Sequence, residues 1–186
     1  ESMRACGLQE VQSLTLSNER DQFENVRWPN EGIVTEIANP ITSDHTLLRQ
    51  YILPSLLRLL AANRHHELPQ RVYELGDVIR DSKNLQRAAW ACAEVGSGFT
   101  ASKGIAQALL RDMGAIQDDV EFGPTDADSG PWITGRGSYV FIKGEKIGEF
   151  GEIDPKVSGL FGIKSPIQAG EIDLEAIYKI VPDPIS

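Results

Sequence analysis

The sequence has few cysteines and no long apolar run, and each shortage excludes a class of protein. Two cysteines, Cys6 and Cys92, are too few for the disulfide framework of a small secreted domain, so we expect reduced thiols in a cytoplasmic protein. No apolar stretch approaches the roughly 20 residues of a membrane-spanning helix, and no signal-peptide pattern is present. We therefore expect no membrane association.

Basic residues are also scarce. The chain has 18 Lys and Arg against 27 Asp and Glu, a formal net charge of −9. A protein that binds nucleic acid by itself usually carries a basic patch that neutralises phosphates. Here the nearest equivalents, Arg49, Arg58, Arg64 and Arg71, are scattered. This balance argues against autonomous nucleic-acid binding, but it allows membership of a complex whose other parts hold the nucleic acid.

The overall composition is that of a soluble globular domain, with 41% hydrophobic and 24% charged residues. A length of 186 residues fits one domain, so we predict a single domain over residues 1–186. The chain enters structure-like sequence abruptly after Glu1 and stops soon after an expected helix at 174–180. We expect it to be a piece of a longer polypeptide.

The densest apolar pattern lies in residues 39–78. Proline suits the first turn of a helix, so we predict a helix that begins near Pro54 and is stopped by Pro69. Leucines at helical spacing give it a wide apolar stripe, and a strand is expected at 71–75. The stripe is covered either by the domain's own sheet or by a partner subunit. On the sequence alone, intramolecular burial is the favoured reading.

The remaining pattern predicts an α+β fold with one mostly antiparallel sheet and helices on one side of it. A clear amphipathic helix is expected at 103–113, with Gly114 ending it. Residues 126–137 are rich in Gly, Asp and Pro and predict a loop. The expected strands are 11–16, 33–38, 71–79, 88–95, 120–122, 138–142, 146–153 and 167–173, with short helices at 156–161 and 174–180.

Two patterns that suggest ligand loops fail on their spacing. In 96–104 the only lysine, Lys103, precedes a glycine, whereas a phosphate-binding loop needs Lys after the glycine and Ser or Thr after the Lys. In 126–137 the fifth, sixth and twelfth positions are Gly130, Pro131 and Gly137, which do not match a calcium loop. A turn and a helix start explain both stretches better.

No catalytic or metal-ligating set stands out. His65 and His66 are adjacent, so on a helix their side chains diverge and fit a solvated helix end better than a metal site. Cys92 lies in an apolar run, where a buried thiol is the default. Glu149 and Glu152, three apart on a strand, point to opposite faces and are poorly placed for shared acid–base work. We predict no catalytic and no metal-binding residues in this chain.

Several short motifs, in their order along the chain, carry a resemblance. They are Asn39-Pro40, Leu48-Arg49, Leu53-Pro54-Ser55-Leu56-Leu57, Asn63, Tyr73-Glu74-Leu75-Gly76-Asp77-Val78, Lys103-Gly104, Gly135-Arg136, Gly148-Glu149-Phe150-Gly151-Glu152-Ile153-Asp154-Pro155 and Gly170-Glu171-Ile172-Asp173-Leu174. Together they resemble the C-terminal, catalytic-like region of the phenylalanyl-tRNA synthetase beta subunit, most closely its archaeal and eukaryotic form. Each motif is weak alone, but the ordered set is specific.

The resemblance implies a class II aminoacyl-tRNA synthetase-like antiparallel β-sheet flanked by helices. It also implies a cytoplasmic α2β2 heterotetramer that acts as a phenylalanine-tRNA ligase in protein biosynthesis. The alpha subunit would bind ATP and Mg and charge the tRNA. This beta domain would hold no cofactor and would reach tRNA only through the holoenzyme.

Class II catalysis uses one arginine on the first strand of its strand–loop–strand motif and a second in its last strand–helix motif. Both grip phosphate oxygens of ATP, because guanidinium stays charged and forks onto them. In this chain the first strand reads Val72-Tyr73-Glu74, with no Arg before the Glu. Leu174 follows Asp173 where the second Arg would stand. The resemblance therefore implies a pseudo-catalytic domain.

We accordingly predict a non-catalytic assembly domain that packs against the catalytic alpha subunit. The alternative is a class II-like domain that binds an amino acid or another small molecule, or an autonomous synthetase-related enzyme. The residues predicted to contact the partner subunit are Leu48, Arg49, Leu53, Pro54, Leu56, Leu57 and Leu60, with one face of the helix on the sheet and another at the interface.

Overall fold

The computed structural model describes residues 1–96 and 98–181. Ser97, which belongs to the rejected phosphate-loop pattern, lies outside the described residues. So do residues 182–186, the end of the predicted domain 1–186.

The described chain alternates short helices with strands of very different length. The α-helices are α1 (Ser2–Ala5), α2 (Leu53–Ala62), α3 (Phe99–Asp112), α4 (Pro155–Leu160) and α5 (Leu174–Ile180). The strands are β1 (Gln9–Glu10), β2 (Leu16–Ser17), β3 (Leu47–Leu48), β4 (Gln70–Arg80), β5 (Lys83–Ala93), β6 (Val120–Pro124), β7 (Trp132–Ile142), β8 (Glu145–Ile153) and β9 (Ile167–Asp173). A π-helical turn (Arg20–Glu24) and a 3-10 turn (Gln117–Asp119) complete the elements. No helix in the described ranges has the length and apolar character needed to cross a membrane.

Seven strands form one sheet in the order β1-β4-β5-β9-β8-β7-β6. Every neighbouring pair is antiparallel except β1 with β4, which is parallel. The strand β9, from the end of the described chain, lies in the centre between β5 and β8. Strands β2 and β3 form a separate two-stranded sheet. The predicted mostly antiparallel sheet is confirmed.

The sheet is covered on both faces, so the prediction of helices on one side is wrong. Along β5, Ala89 and Ala91 belong to a core that contains α2 and α4. Trp90 and Cys92 alternate with them and belong to a core that contains α1, α3 and α5. Because successive side chains of a strand point to opposite faces, a strand that is apolar at every position needs cover on both sides.

Helix α2 begins as predicted, with Pro54 in its first turn. It ends at Ala62, however, seven residues before Pro69, so the proline is not what stops it. The side-chain amide of Asn63 donates to the carbonyl of Leu59 at 3.0 Å and satisfies one of the free groups of the last turn.

Two predicted strands are largely absent. Residues 33–38 make one bridge, Glu36 to Leu47, with one backbone hydrogen bond on each side of it. Ile33 is 70% exposed, so this end of the stretch does not pack into a sheet. Within 11–16 only Leu16 is in a strand, because the preceding residues follow the edge of β4, where the Val11 amide donates to the Tyr73 carbonyl. The predicted loop 126–137 is also too long, since β7 already begins at Trp132.

The β4–β5 and β7–β8 strand pairs and the strand–helix unit of β9 and α5 are present as predicted. Strand β5, however, covers Lys83–Ala93 and not the predicted 88–95, and the short strand β3 was not predicted. Helix α3 extends further toward its N-terminus than predicted, from Phe99 to Asp112, and Gly114 follows it with a φ of 86°. A positive φ costs glycine no strain, so this residue ends the helix easily.

Gly170 of β9 lies opposite Trp90 of β5 in the strand register. A Cβ placed there would overlap with the indole ring of Trp90. That indole has no room to move, because its Nε1 donates to Ser102 Oγ at 3.0 Å and to Gln168 Oε1 at 3.2 Å. Gly170 thus lets the central strand pair with a strand that carries a buried tryptophan.

We predict that Gly170→Ala lowers the free energy of unfolding by about 2–3 kcal/mol, because an added methyl overpacks a fixed contact. Gly104→Ala is the matched control. A Cβ at Gly104, inside α3, meets nothing within 4 Å. There we expect a gain of up to about 1 kcal/mol from helix propensity. Urea denaturation of both variants measures the difference, and equal stability of the two would contradict the packing argument.

Candidate functional site

Three buried glutamates lie in one row across the sheet, on the face that α2 covers. The register pairs Glu74 of β4 with Ala89 of β5, Ala89 with Glu171 of β9, and Glu171 with Glu149 of β8. The three glutamates are 2%, 1% and 8% exposed. Like charges opposite one another on neighbouring strands are destabilising. Each carboxylate therefore needs its own donors, and each has a different set.

The central carboxylate, Glu171, joins three elements. It accepts from the Nε of Arg87 on β5 at 2.5 Å. It also accepts from the backbone amides of Ile52 at 2.9 Å and Leu53 at 2.6 Å, at the N-terminus of α2. A helix N-terminus presents unpaired N–H groups and a positive dipole end, so a carboxylate is a favourable partner. Burial alone would lower the pKa of Arg87, but Glu171 outweighs it and the pKa is raised.

Tyr51 lies under two guanidinium groups at the same place. The guanidinium carbons of Arg80 and Arg87 are 4.8 Å and 5.6 Å from the centre of its ring, a cation–π arrangement. The ring is also 4.6 Å from that of Trp28, and its hydroxyl donates to the carbonyl of Pro29 at 2.6 Å. Burial raises the pKa of Tyr51 and, with the positive charge of Arg87, lowers that of Arg80.

The two outer carboxylates, Glu74 and Glu149, each accept from different side chains. Glu74 accepts from Arg49 at 2.6 Å, and Arg49 also donates to the Asp77 carbonyl. Glu149 accepts from the indole nitrogens of Trp28 at 3.3 Å and Trp132 at 2.9 Å.

A buried glutamine fixes the segment that crosses this face. The side-chain oxygen of Gln22 accepts from the backbone amides of Gln50 and Tyr51, both at 2.9 Å. Its nitrogen donates to the Tyr51 carbonyl at 3.1 Å. These bonds replace strand pairing where the chain runs from β3 into α2. They hold Tyr51 against the sheet.

We call Glu74, Glu149 and Glu171, with Arg49, Arg80, Arg87 and Tyr51, the sheet-face cluster. Its donors and acceptors are paired with one another, with the backbone, or with the neighbouring side chains of Ser13, Trp28 and Trp132. The five surface depressions considered below are lined by other residues. The cluster can fix strands and helix relative to one another, but its charged groups already have partners within the chain.

The seven residues predicted to contact a partner subunit lie mainly inside this chain. Leu48 is half-buried, and the other six are buried: Arg49, Leu53, Pro54, Leu56, Leu57 and Leu60. The outer face of α2 consists instead of Ser55, Arg58, Leu59 and Ala62. The intramolecular burial that the sequence favours is therefore observed for the leucine stripe, and contact with a partner stays a prediction.

In the two motifs where the resemblance implies a class II arginine, the sequence has Val72 two residues before Glu74 and Leu174 after Asp173, and both are apolar. Val72 is in the core beneath α2. Leu174, the first residue of α5, lies in the core on the opposite face. Glu74, Glu149 and Glu171 all occur in the short motifs that carry the family resemblance. Their alignment in one row across the sheet was not predicted. Their position within otherwise apolar strands is the signal that could have indicated buried, paired carboxylates.

The remaining side chains considered for chemistry lie apart from one another. Glu152 is on the other face from Glu149, where it accepts from the Phe99 amide and from Arg136. Cys92 is buried, and burial raises the pKa of its thiol to about 12. Across the described parts of the chain, no three His, Cys, Asp or Glu side chains are grouped so that they could hold a metal ion.

We predict that Glu171→Gln lowers the free energy of unfolding by about 3 kcal/mol, because it leaves the buried guanidinium of Arg87 without its main counter-charge. Glu145→Gln, at the exposed β7–β8 turn, is the control and should change stability by less than about 0.5 kcal/mol. Adding Arg87→Met to Glu171→Gln should restore part of the loss. Urea denaturation measures all three, and an unchanged Glu171→Gln variant would refute the role of this pair.

Comparison with known proteins gives a consistent result. The chain is 39% identical over 184 residues to the phenylalanine–tRNA ligase beta subunit of Pyrococcus furiosus, covering 95% of this chain and 32% of that protein. It is 35% identical over 180 residues to the beta subunit of Archaeoglobus fulgidus, covering 96% of this chain and 32% of the relative. The chain thus spans about a third of the length of the curated relatives it matches.

Among solved structures, a pyrrolysyl tRNA synthetase of Desulfitobacterium hafniense superposes with a TM-score of 0.74 at 12% identity, covering 96% of this chain and 64% of that one. This likeness concerns the fold and confirms the predicted class II synthetase-like architecture. The family model described as "Phenylalanyl tRNA synthetase beta chain CLM domain" matches residues 1–174. The chain therefore belongs to the family of phenylalanyl-tRNA synthetase beta chain CLM domains.

Proposed function

We propose that this chain is a non-catalytic assembly domain of a phenylalanine–tRNA ligase beta subunit, and that it packs against the catalytic alpha subunit. The observation that carries the proposal is the sheet-face cluster. Charged side chains that could bind a substrate on this face are instead paired with one another and with the start of α2.

The aromatic side chains support the same reading. Tyr51 lies on the guanidinium groups of Arg80 and Arg87 and touches Trp28. A planar ligand on these arginines would have to displace a tyrosine that Gln22 and Pro29 hold in place. The arrangement therefore favours a permanent structural contact over reversible binding.

The apolar residues at the missing arginine positions add a second argument. ATP needs fixed positive charge at its phosphates, and guanidinium supplies it best. Val72 supplies none and lies in the core beneath α2. Leu174 begins α5 on the other face of the sheet. The residues of this chain do not fit ATP, so the proposal assigns ATP, Mg and the charging of tRNA to the alpha subunit.

The outer face of α2 is the surface that we assign to the alpha subunit. Leu59 is only half-buried, and a depression of about 420 Å³ and another of about 450 Å³ flank it. Arg58 is held beside it by two 2.7 Å bonds to Asp21, which keeps that side of the face rigid. A preformed helix face with an apolar centre suits packing against a helix of another subunit.

In this proposal most of the seven predicted interface residues support the interface indirectly, by holding α2 in place from its buried side. Leu53, Leu56 and Leu60 fix α2 on the sheet, and the half-buried Leu48 pairs with Leu16 in the small sheet of β2 and β3. The complete enzyme would be a cytoplasmic α2β2 heterotetramer, and tRNA would meet the domain only through that assembly. The chain's net charge of −9 is consistent with the absence of independent tRNA binding.

A substitution on the outer face of α2 tests the assembly role. Ala62→Arg should reduce co-purification of the beta subunit with its alpha subunit several-fold, because a large charged side chain replaces an exposed methyl on the proposed interface. Ala101→Arg, at an exposed position of α3, is the matched control and should leave co-purification unchanged. Charged substitutions at Leu56 or Leu60 are unsuitable because both residues are buried. Equal recovery of alpha with both variants would contradict this interface.

The competing hypothesis, an amino-acid-binding or autonomous synthetase-related domain, makes a different prediction. In an ATP–pyrophosphate exchange assay, we expect the beta subunit without alpha to give no phenylalanine-dependent exchange, whereas the combined subunits should be active. The physical reason is the lack of a phosphate-binding arginine at Val72. Exchange by the beta subunit alone, abolished by Arg87→Met, would overturn the proposal and assign catalysis to the sheet face.

A further inference from the structure

A depression at the C-terminal end of α2 differs from its neighbours in charge. It has a volume of about 410 Å³ and lies between the segment after α2 and the loop that precedes β9. Leu60, Leu68 and Ile163 contribute apolar surface to it. Arg64, His65 and Lys164 contribute basic groups, and no Asp or Glu is among its lining residues. We call it the basic-rimmed depression.

The other four depressions lack this combination. Asp or Glu side chains line three of them. In the fourth, the basic residues are His66 and Arg71, and the Arg71 guanidinium is already paired with Glu94 at 2.5 Å. In a chain with a net charge of −9, a depression that has basic groups and no acidic ones is an exception to the average surface.

The basic groups at this rim are available to a ligand. Among the described residues, Arg64, His65 and Lys164 form no ion pair with a carboxylate. Arg64 donates one bond, to the carbonyl of Ala61 at 2.8 Å, and has further N–H groups to offer. All three residues are exposed, so an incoming anion would not have to displace an internal partner.

We propose that the basic-rimmed depression binds an acidic segment of a partner protein, with an apolar side chain in the depression and an adjacent carboxylate at its rim. A volume of about 410 Å³ is within the range of pockets that enclose a small ligand or a few side chains. Leu68 is 42% exposed and would be covered by such a segment. Charge complementarity at the rim would fix the direction of the segment.

A nucleic acid is a poorer occupant. A polyanion needs a track of basic groups, and its affinity depends on how many phosphates are neutralised. Beyond the rim, the nearby Arg58 and Arg71 are already paired with Asp21 and Glu94. The net charge of −9 repels a long polyanion but leaves a short, locally bound carboxylate little affected.

Fluorescence anisotropy on the purified full-length protein can test this proposal. The probe is a short labelled peptide in which Leu-Asp pairs alternate with Gly-Ser. We expect Lys164→Glu and Leu68→Ser each to weaken binding about fivefold or more, since each removes one half of the recognition. Lys83→Glu, at the exposed β4–β5 turn, is the control and should not change the affinity. Thermal unfolding curves establish that the variants are folded.

Three further probes separate the alternatives. A peptide with Ser in place of Leu and one with Lys in place of Asp should both bind more weakly, and a short single-stranded RNA should not compete. The proposal is overturned if the acidic peptide does not bind, or if its affinity is the same in Lys164→Glu. It is equally overturned if the RNA binds more tightly with the same dependence on Lys164. None of these outcomes depends on binding of the alpha subunit to α2.

Discussion

The fold depends on one buried carboxylate. Glu171 accepts hydrogen bonds from Arg87 of β5 and from the backbone amides at the start of α2. It thereby joins the central strand, its neighbour and the helix that covers this face of the sheet. A buried charge is costly unless its partners are well placed, and here both a guanidinium and a helix N-terminus supply them. This contact fixes the N-terminus of α2 on the sheet, and the buried leucines of the helix fix the rest of it.

The same contact supports the assembly role that we propose for this synthetase-like sheet. Once Glu171 is committed to α2 and Arg87 to Glu171, neither group is free to hold a substrate. Tyr51 is then held between the sheet and Gln22 by the short segment that leads into the helix. Polar groups on a sheet face can take part in catalysis when they have no partner within the chain and can reach a substrate. When they are paired internally they contribute position and stability instead.

Much of the fold could be predicted because local pattern and final burial agree. The apolar run of β5 and the amphipathic α3 both follow from what their own residues must bury. Residues 33–38 could not be predicted, since Ile33 suggests a buried strand yet remains exposed. The row of glutamates was also beyond local reasoning. It exists only because the registers of β4, β5, β9 and β8 bring distant residues together.

The leucine stripe of α2 shows where a sequence pattern stops being informative. The leucine stripe predicts that one face of the helix is buried. In the structure this face packs against the chain's own sheet. On this helix, a partner subunit could then contact only the outer face, which includes Leu59 and Ala62. The pattern that draws attention to the helix is therefore different from the surface available for recognition. Apolar periodicity identifies the residues that form the domain's own core. Binding of a partner depends on the residues that stay exposed after this core has formed.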